Sequence, residues 1–212
     1  PILTSVTGPA KIVQVSPASS SPTLTNLARE GKSNGMFFRT ITSDALQGTA
    51  AAKYALDQGF KKIAVIHVNN DFGVNMVAEF SRAYKALGGT IVSATPYNEK
   101  QSSYASEVTA AMTGEPDGLY LVSYPVDGAT IARTWISQGG VQKFLLNDGM
   151  NSPDFIDSVG ADYLKDAYGT SSGTSPTAST DYFMKNYKEF SGIEPSNPAA
   201  DRSYDAGAIV GL

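Results

Sequence analysis

The sequence has no cysteine, one histidine and one tryptophan in 212 residues. The first absence excludes disulfides and thiol chemistry within this stretch but does not fix a compartment. A single histidine, His67, leaves a Ser-His-Asp hydrolase little to work with, and pairing it with Ser103 is no more than arithmetic. No phosphate loop of the Walker type and no Gly-x-Gly-x-x-Gly run follows any strand-like segment, so nucleotide binding has no motif behind it. Acidic residues are dispersed, which argues against a metal set, and no cofactor is expected. The formal net charge is -4, with lysine and arginine scattered, so nucleic acid is not an expected partner. No apolar run approaches the roughly eighteen residues that span a bilayer. The chain opens Pro1-Ile2-Leu3-Thr4-Ser5 without a secretory pattern; either a signal has been removed or the natural start lies upstream.

What is present is alternation. Ser43 suits the N-cap of a helix over about Asp44 to Gln58, with Gly59 as its stop. Lys62 to Val68 is a near-continuous apolar run of the kind found in a buried parallel strand. Helical and strand-like blocks then succeed one another: helices near 73–87, 104–112, 127–138 and 153–159, and strands at 90–95, 118–123 and 144–146. Short connections and this order predict an α/β domain with a doubly wound parallel sheet. Ahead of it, Lys11 to Val15 reads as a strand. After it, Asp166 to Thr170 reads as the start of a new segment that ends in a helix over 182–190. These flanks cannot bury enough apolar surface to offset chain entropy alone. A second lobe is therefore expected, with strands both before Pro1 and after Leu212, and its absence would leave exposed sheet edges unless an oligomer covers them.

Several residues could carry binding chemistry. The loop Ser16 to Ser21 leaves a strand and enters a helix with Ser21 as N-cap and Pro22 at the first helical position. Free N–H groups and a positive dipole end suit a carboxylate there, although the segment also reads as a plain serine-rich turn. Asp148 lies in a turn at a strand's carboxyl end, where an anion could offset the desolvation of an ammonium group; Asn147-Asp148-Gly149 is equally an ordinary turn tripeptide. Phe72 and Tyr124 each follow a strand and offer aromatic area, or pack under their own loops. Ser102 or Ser103 serves as a helix cap. Trp135 and Arg133 lie on a helix where packing or solvent explains them, and His67 ends a buried strand as a structural residue.

The order of several segments resembles one family, the leucine/isoleucine/valine-binding proteins of branched-chain amino-acid ABC transporters, which are type I periplasmic substrate-binding proteins. Those segments are Val15-Ser16-Pro17-Ala18-Ser19-Ser20-Ser21-Pro22-Thr23-Leu24-Thr25, Phe38-Arg39-Thr40, Asp44-Ala45-Leu46-Gln47-Gly48, Val65 to Gly73, Pro116 to Tyr120 and Asn147-Asp148-Gly149. The resemblance implies two doubly wound lobes joined by a hinge and closing on a ligand, with no enzymatic step. It assigns 1–40 to a partial first lobe, 41–165 to the complete second lobe and 166–212 to a return to the first. It also implies that Ser16, Ala18, Ser19 and Ser20 take the carboxylate and ammonium of an amino acid, and that Asp148 pairs with the ammonium. Phe72 and Tyr124 would cover the ligand. Asp148 stands where the family often has glutamate, and Phe72 where it often has tyrosine. The implied partners are a small-molecule ligand, a branched-chain amino acid first, and an ABC permease in the membrane; the implied compartment is the periplasm. A cytoplasmic amide sensor or a receptor ectodomain would use the same fold, and aromatic acids, amides or urea are alternative ligands.

Overall fold

The computed structural model describes residues 2–173, 175–195 and 199–212. Contacts divide the chain into two compact units, 44–171 and a second formed by 1–43 with 172–212. Each is described on its own.

The unit 44–171 is a five-stranded, all-parallel sheet with helices on both faces. Helix α2 (Asp44–Asp57) leads into β3 (Lys62–Val68), and α3 (Asp71–Ala86) into β4 (Thr90–Tyr97). Then follow α4 (Ala105–Ala111), β5 (Gly118–Val122), α5 (Pro125–Ser137), β6 (Lys143–Leu146), α6 (Pro153–Val159) and β7 (Asp166–Gly169). The strand order is β4-β3-β5-β6-β7. The apolar run in β3 exists because both of its faces are covered. Ala64, Ile66 and Val68 join the layer that contains Val108, Trp135 and Phe155, whereas Ile63 and Val65 pack with Ala51, Phe80 and Tyr84. Trp135 is fully buried and its indole N–H donates to the Val141 carbonyl at 2.9 Å, the packing role expected of it. Gly59 takes φ 76° after α2, the left-handed stop its sequence suggests.

The amino-terminal rim of this sheet is stitched through the main chain. The Asp117 carboxylate accepts from the N–H groups of Lys61 and Lys62 at 2.8 and 2.9 Å. Lys143 donates to the Gln58 carbonyl at 2.7 Å and lies 4.4 Å from the centroid of the Phe60 ring.

The remaining unit has β1 (Gln14–Ser16) paired in parallel with β2 (Phe37–Arg39), and helices α1 (Pro22–Arg29), α7 (Ala178–Ser191) and α8 (Ala200–Gly211). As expected, Ser21 caps α1: its hydroxyl accepts from the Thr23 N–H, and Pro22 opens the helix.

Three expectations need correction. Asp166 to Thr170 does not start a segment outside the sheet, because 166–169 pair with β6 residue by residue as its edge strand; four residues with one apolar aromatic carry too little period to be read as a strand. The first strand begins at Gln14, not Lys11, since Lys11 sits at φ 54° in a turn closed by Lys11 N–H to Gly8 O and Ile12 N–H to Thr7 O. Helix α7 starts at Ala178, one turn before the expected 182, because the Thr177 hydroxyl accepts from the Thr180 N–H. Helix α8 was not foreseen.

Candidate functional site

In an open parallel sheet, ligands sit outside the strands' carboxyl ends where the strand order reverses. Here that point lies between β3 and β5: the chain goes from β3 outward to β4, returns past β3 to β5 and continues to β6 and β7. The helices after β3 and β5 pack on opposite faces, as Phe80 and Trp135 show. The first turns of these two helices flank that point.

Phe72 and Tyr124 both lie there. Phe72 is in the first turn of α3 and Tyr124 is the N-cap of α5; their rings stack at 5.9 Å with planes 24° apart. Tyr124 is 37% exposed. Asn70 organises the pair. Its side-chain oxygen accepts from the Gly73 N–H at 3.1 Å, capping α3, and its amide nitrogen donates to the Tyr124 hydroxyl and to Glu99, both at 3.2 Å. Gly73 is required there, because a Cβ would collide with the Val68 carbonyl.

Asp148 opens a short 3₁₀ helix, Asp148–Met150, directly after β6. Its neighbour Asn147 is buried, accepts from the Ser123 N–H at 2.9 Å and donates to the Asp148 carboxylate at 3.4 Å. The tripeptide is thus a turn, and the turn fixes a partly exposed carboxylate on the same rim. The carboxylate field reaches the tyrosines. Burial raises the Tyr124 hydroxyl above its ordinary pKa and the Asn70 hydrogen bond opposes this, while Glu99, Asp148 and Asp44 raise it further. Tyr120, on β5, is fully buried, and its hydroxyl has no hydrogen-bond partner among the described residues; burial first, then Asp148 and Asp44, raise it. Beneath the Asp148 turn lies a pocket of about 480 Å³ lined by Leu146, Met150, Phe155, Leu164, Ala167 and Thr170.

In the other unit, the loop after β1 is internally bonded. The Ser16 hydroxyl donates to the Ser19 hydroxyl at 2.8 Å and accepts from the N–H groups of Ser19 and Ala18 at 3.0 and 3.4 Å. Ser16 is therefore an organiser of the loop. Ser20 is 6% exposed, and nothing accepts its N–H among the described residues. The Arg39 guanidinium donates to the carbonyls of Ser19 and Ser21 at 3.2 and 3.0 Å and to the Thr25 hydroxyl at 2.7 Å.

Sequence reasoning singled out Phe72, Tyr124 and Asp148, which the structure brings to one rim, and the loop residues Ser16, Ala18, Ser19 and Ser20. It passed over Asn70, Glu99, Tyr120 and Arg39; the Asn70-Asp71-Phe72-Gly73 cap pattern was the signal for the first. Neither Ser102 nor Ser103 caps α4, whose N-cap is Tyr104 without a side-chain cap bond; Ser103 accepts from the Ala105 N–H at 3.3 Å from one position earlier. Arg133 donates to the Ser158 carbonyl at 2.9 Å, a packing role. His67 is 8% exposed, with Nδ1 3.1 Å from the Val68 carbonyl.

Gly169-Thr170-Ser171-Ser172-Gly173 has the spacing of a hydrolase elbow. That motif needs strand, sharp turn and helix, whereas the described residues from Thr170 to Thr177 form no helix, and two strands, β5 and β6, lie between β7 and β3, which carries His67.

No curated protein matches the chain. Solved structures do, and in the three described next the chain spans only about 55–58% of their own length. The leucine-binding protein LivK of Thermotoga maritima superposes with a TM-score of 0.82 at 24% identity, covering 97% of this chain and 57% of that one. The branched-chain amino acid transporter substrate-binding protein LivJ of Streptococcus pneumoniae, in complex with isoleucine, gives 0.76 at 19% over 97% and 58%. An ABC-transporter solute-binding protein of R. palustris, in complex with 4-hydroxybenzoate, gives 0.75 at 16% over 95% and 55%. These likenesses show the α/β type I fold. The family model described as periplasmic binding protein matches residues 3–211, and the chain belongs to that family.

Proposed function

We propose that this chain is the substrate-binding part of an extracytoplasmic ABC-transport receptor that captures an amino acid, branched-chain in type, and hands it to a membrane permease. The observation that carries this reading is the Asp148 carboxylate beside the Phe72–Tyr124 pair at the strand-order reversal of the unit 44–171. An ammonium group leaving water needs an anion, and Asp148 supplies it on a rim where Glu99 adds a second negative charge. The loop 16–21 supplies the complementary chemistry, serine hydroxyls and helix-start N–H groups for a carboxylate. The amino acid itself rests on the solved relatives named for leucine and isoleucine.

The second reading is an aromatic acid. The R. palustris relative with 4-hydroxybenzoate favours it, as does Phe72, whose bare ring offers stacking area without a hydroxyl.

The test is calorimetric titration of refolded full-length protein with leucine, isoleucine, valine and 4-hydroxybenzoate, repeated with Asp148→Ala. The proposal expects micromolar or tighter binding of an aliphatic amino acid, weakened by about 30-fold or more in the variant, the scale for removing one partner of a desolvated charge pair. Binding of 4-hydroxybenzoate alone, unaffected by Asp148→Ala, would establish the second reading.

A further inference from the structure

Among the described residues, Arg39 donates to two main-chain carbonyls of the loop 16–21. Strands β1 and β2 end level, with Ser16 opposite Arg39, so the guanidinium lies beside the loop that leaves β1. Its three bonds, to Ser19 O, Ser21 O and Thr25 Oγ1, join the loop to the second turn of α1. The fork of a guanidinium is rigid, and so these three acceptors are held in one arrangement.

We infer that Arg39 is a positioning residue that makes this loop selective for a carboxylate. The peptide unit is planar and trans, so its carbonyl and the following N–H point in opposite directions. Drawing the Ser19 carbonyl onto Arg39 turns the Ser20 N–H away from it, and that N–H has no acceptor among the described residues. The Ser21 carbonyl can turn inward at no loss of a donor, because Pro22 has no N–H. The Ser19 and Ser21 carbonyl dipoles are thereby held on a positive charge, which leaves the Ser20 N–H as a donor turned the other way. Such a donor favours an anion over its neutral analogue because it is fixed before the ligand arrives. Ser16 holds the beginning of the loop through Ser19, and Arg39 holds its end.

This inference rests on the loop being the carboxylate site, and the test keeps the two apart. Full-length wild-type protein, Arg39→Gln, Arg39→Lys and Thr25→Val are titrated with two acid–amide pairs, leucine with leucinamide and 4-hydroxybenzoate with 4-hydroxybenzamide. Folding of each variant is checked by circular dichroism. The readout is the ratio of acid to amide affinity, which a loss of stability alone would not move. Arg39→Gln is expected to cut that ratio by about tenfold or more, the scale of a lost set of charge-assisted bonds. Arg39→Lys should recover only part, because an ammonium cannot span three acceptors, and Thr25→Val, which removes one acceptor and keeps the charge, should fall between wild type and Arg39→Gln. A folded Arg39→Gln or Thr25→Val protein with the wild-type ratio overturns the inference. Wild-type protein that binds amides as tightly as acids instead overturns the reading of the loop. Should Arg39→Gln fail to fold, the Arg39→Lys and Thr25→Val ratios decide.

Discussion

Phe72 and Tyr124 stack across the point where the sheet reverses its strand order, one ring carried by the first turn of α3 and the other by the N-cap of α5. The contact ties α3 to α5, which pack on opposite faces of the sheet, and it leaves Tyr124 partly open to solvent while Phe72 is half-buried. An aromatic pair so placed is at once a structural clasp and a surface on which an apolar group can lie.

Tyr124→Ala should weaken ligand binding by about 5- to 30-fold, as expected for a truncated aromatic contact of about 1–2 kcal/mol. Tyr124→Phe separates ring from hydroxyl. It should retain most of the affinity if the ring dominates, and calorimetry on the two variants reads the difference directly.

Asn70→Ala should lower stability by about 1 kcal/mol through loss of the α3 cap. Asn70→Ser restores an acceptor for the Gly73 N–H but not the donor to Tyr124, so its urea midpoint should return toward wild type while its affinity stays with the alanine variant.

Gly73→Ala forces a Cβ onto the Val68 carbonyl, and because that atom belongs to the main chain of β3 it cannot swing away. Overpacking of this kind costs about 1–3 kcal/mol, and the displaced helix start should carry Phe72 with it. Denaturant titration should show the loss, and ligand affinity should fall as well; an unchanged midpoint would mean that the close approach is relaxed in solution.

His67 gives a pH signature that one substitution can remove. Burial pushes its imidazole below the ordinary value of 6.5, with the Val68 carbonyl bond opposing. The unfolded chain then binds the proton more readily than the folded one, so stability is level above about pH 6.5 to 7 and falls as pH drops below about 6.5. With no second histidine in the chain, His67→Gln should flatten the dependence of the unfolding midpoint between about pH 7 and 5.

The unit 44–171 was legible in the sequence because its signals are redundant. The apolar run Ile63 to Val68, the stop at Gly59 and the short connections all point to one buried parallel sheet, and Phe72, Tyr124 and Asp148 follow from standing just past strand ends. Strand β7 was hidden because an edge strand with one covered side needs little apolar content. Arg39 was hidden for another reason: its role is defined by carbonyl acceptors at Ser19 and Ser21, and main-chain geometry leaves no mark in residue types. The same holds for Tyr120, which reads from sequence as one more apolar strand residue.

The two rims of the five-stranded sheet have different duties. At the amino-terminal rim, Asp117 and Lys143 clamp the main chain of neighbouring segments; at the carboxyl-terminal rim, the turns carrying Asn70, Tyr124 and Asp148 face outward. Substitutions at the second rim leave the clamps at the first untouched. A scaffold divided in this way can drift in what it recognises without drifting in shape, and it gives an evolutionary route by which chains of 24% identity or less keep one architecture while the named complexes range from isoleucine to 4-hydroxybenzoate.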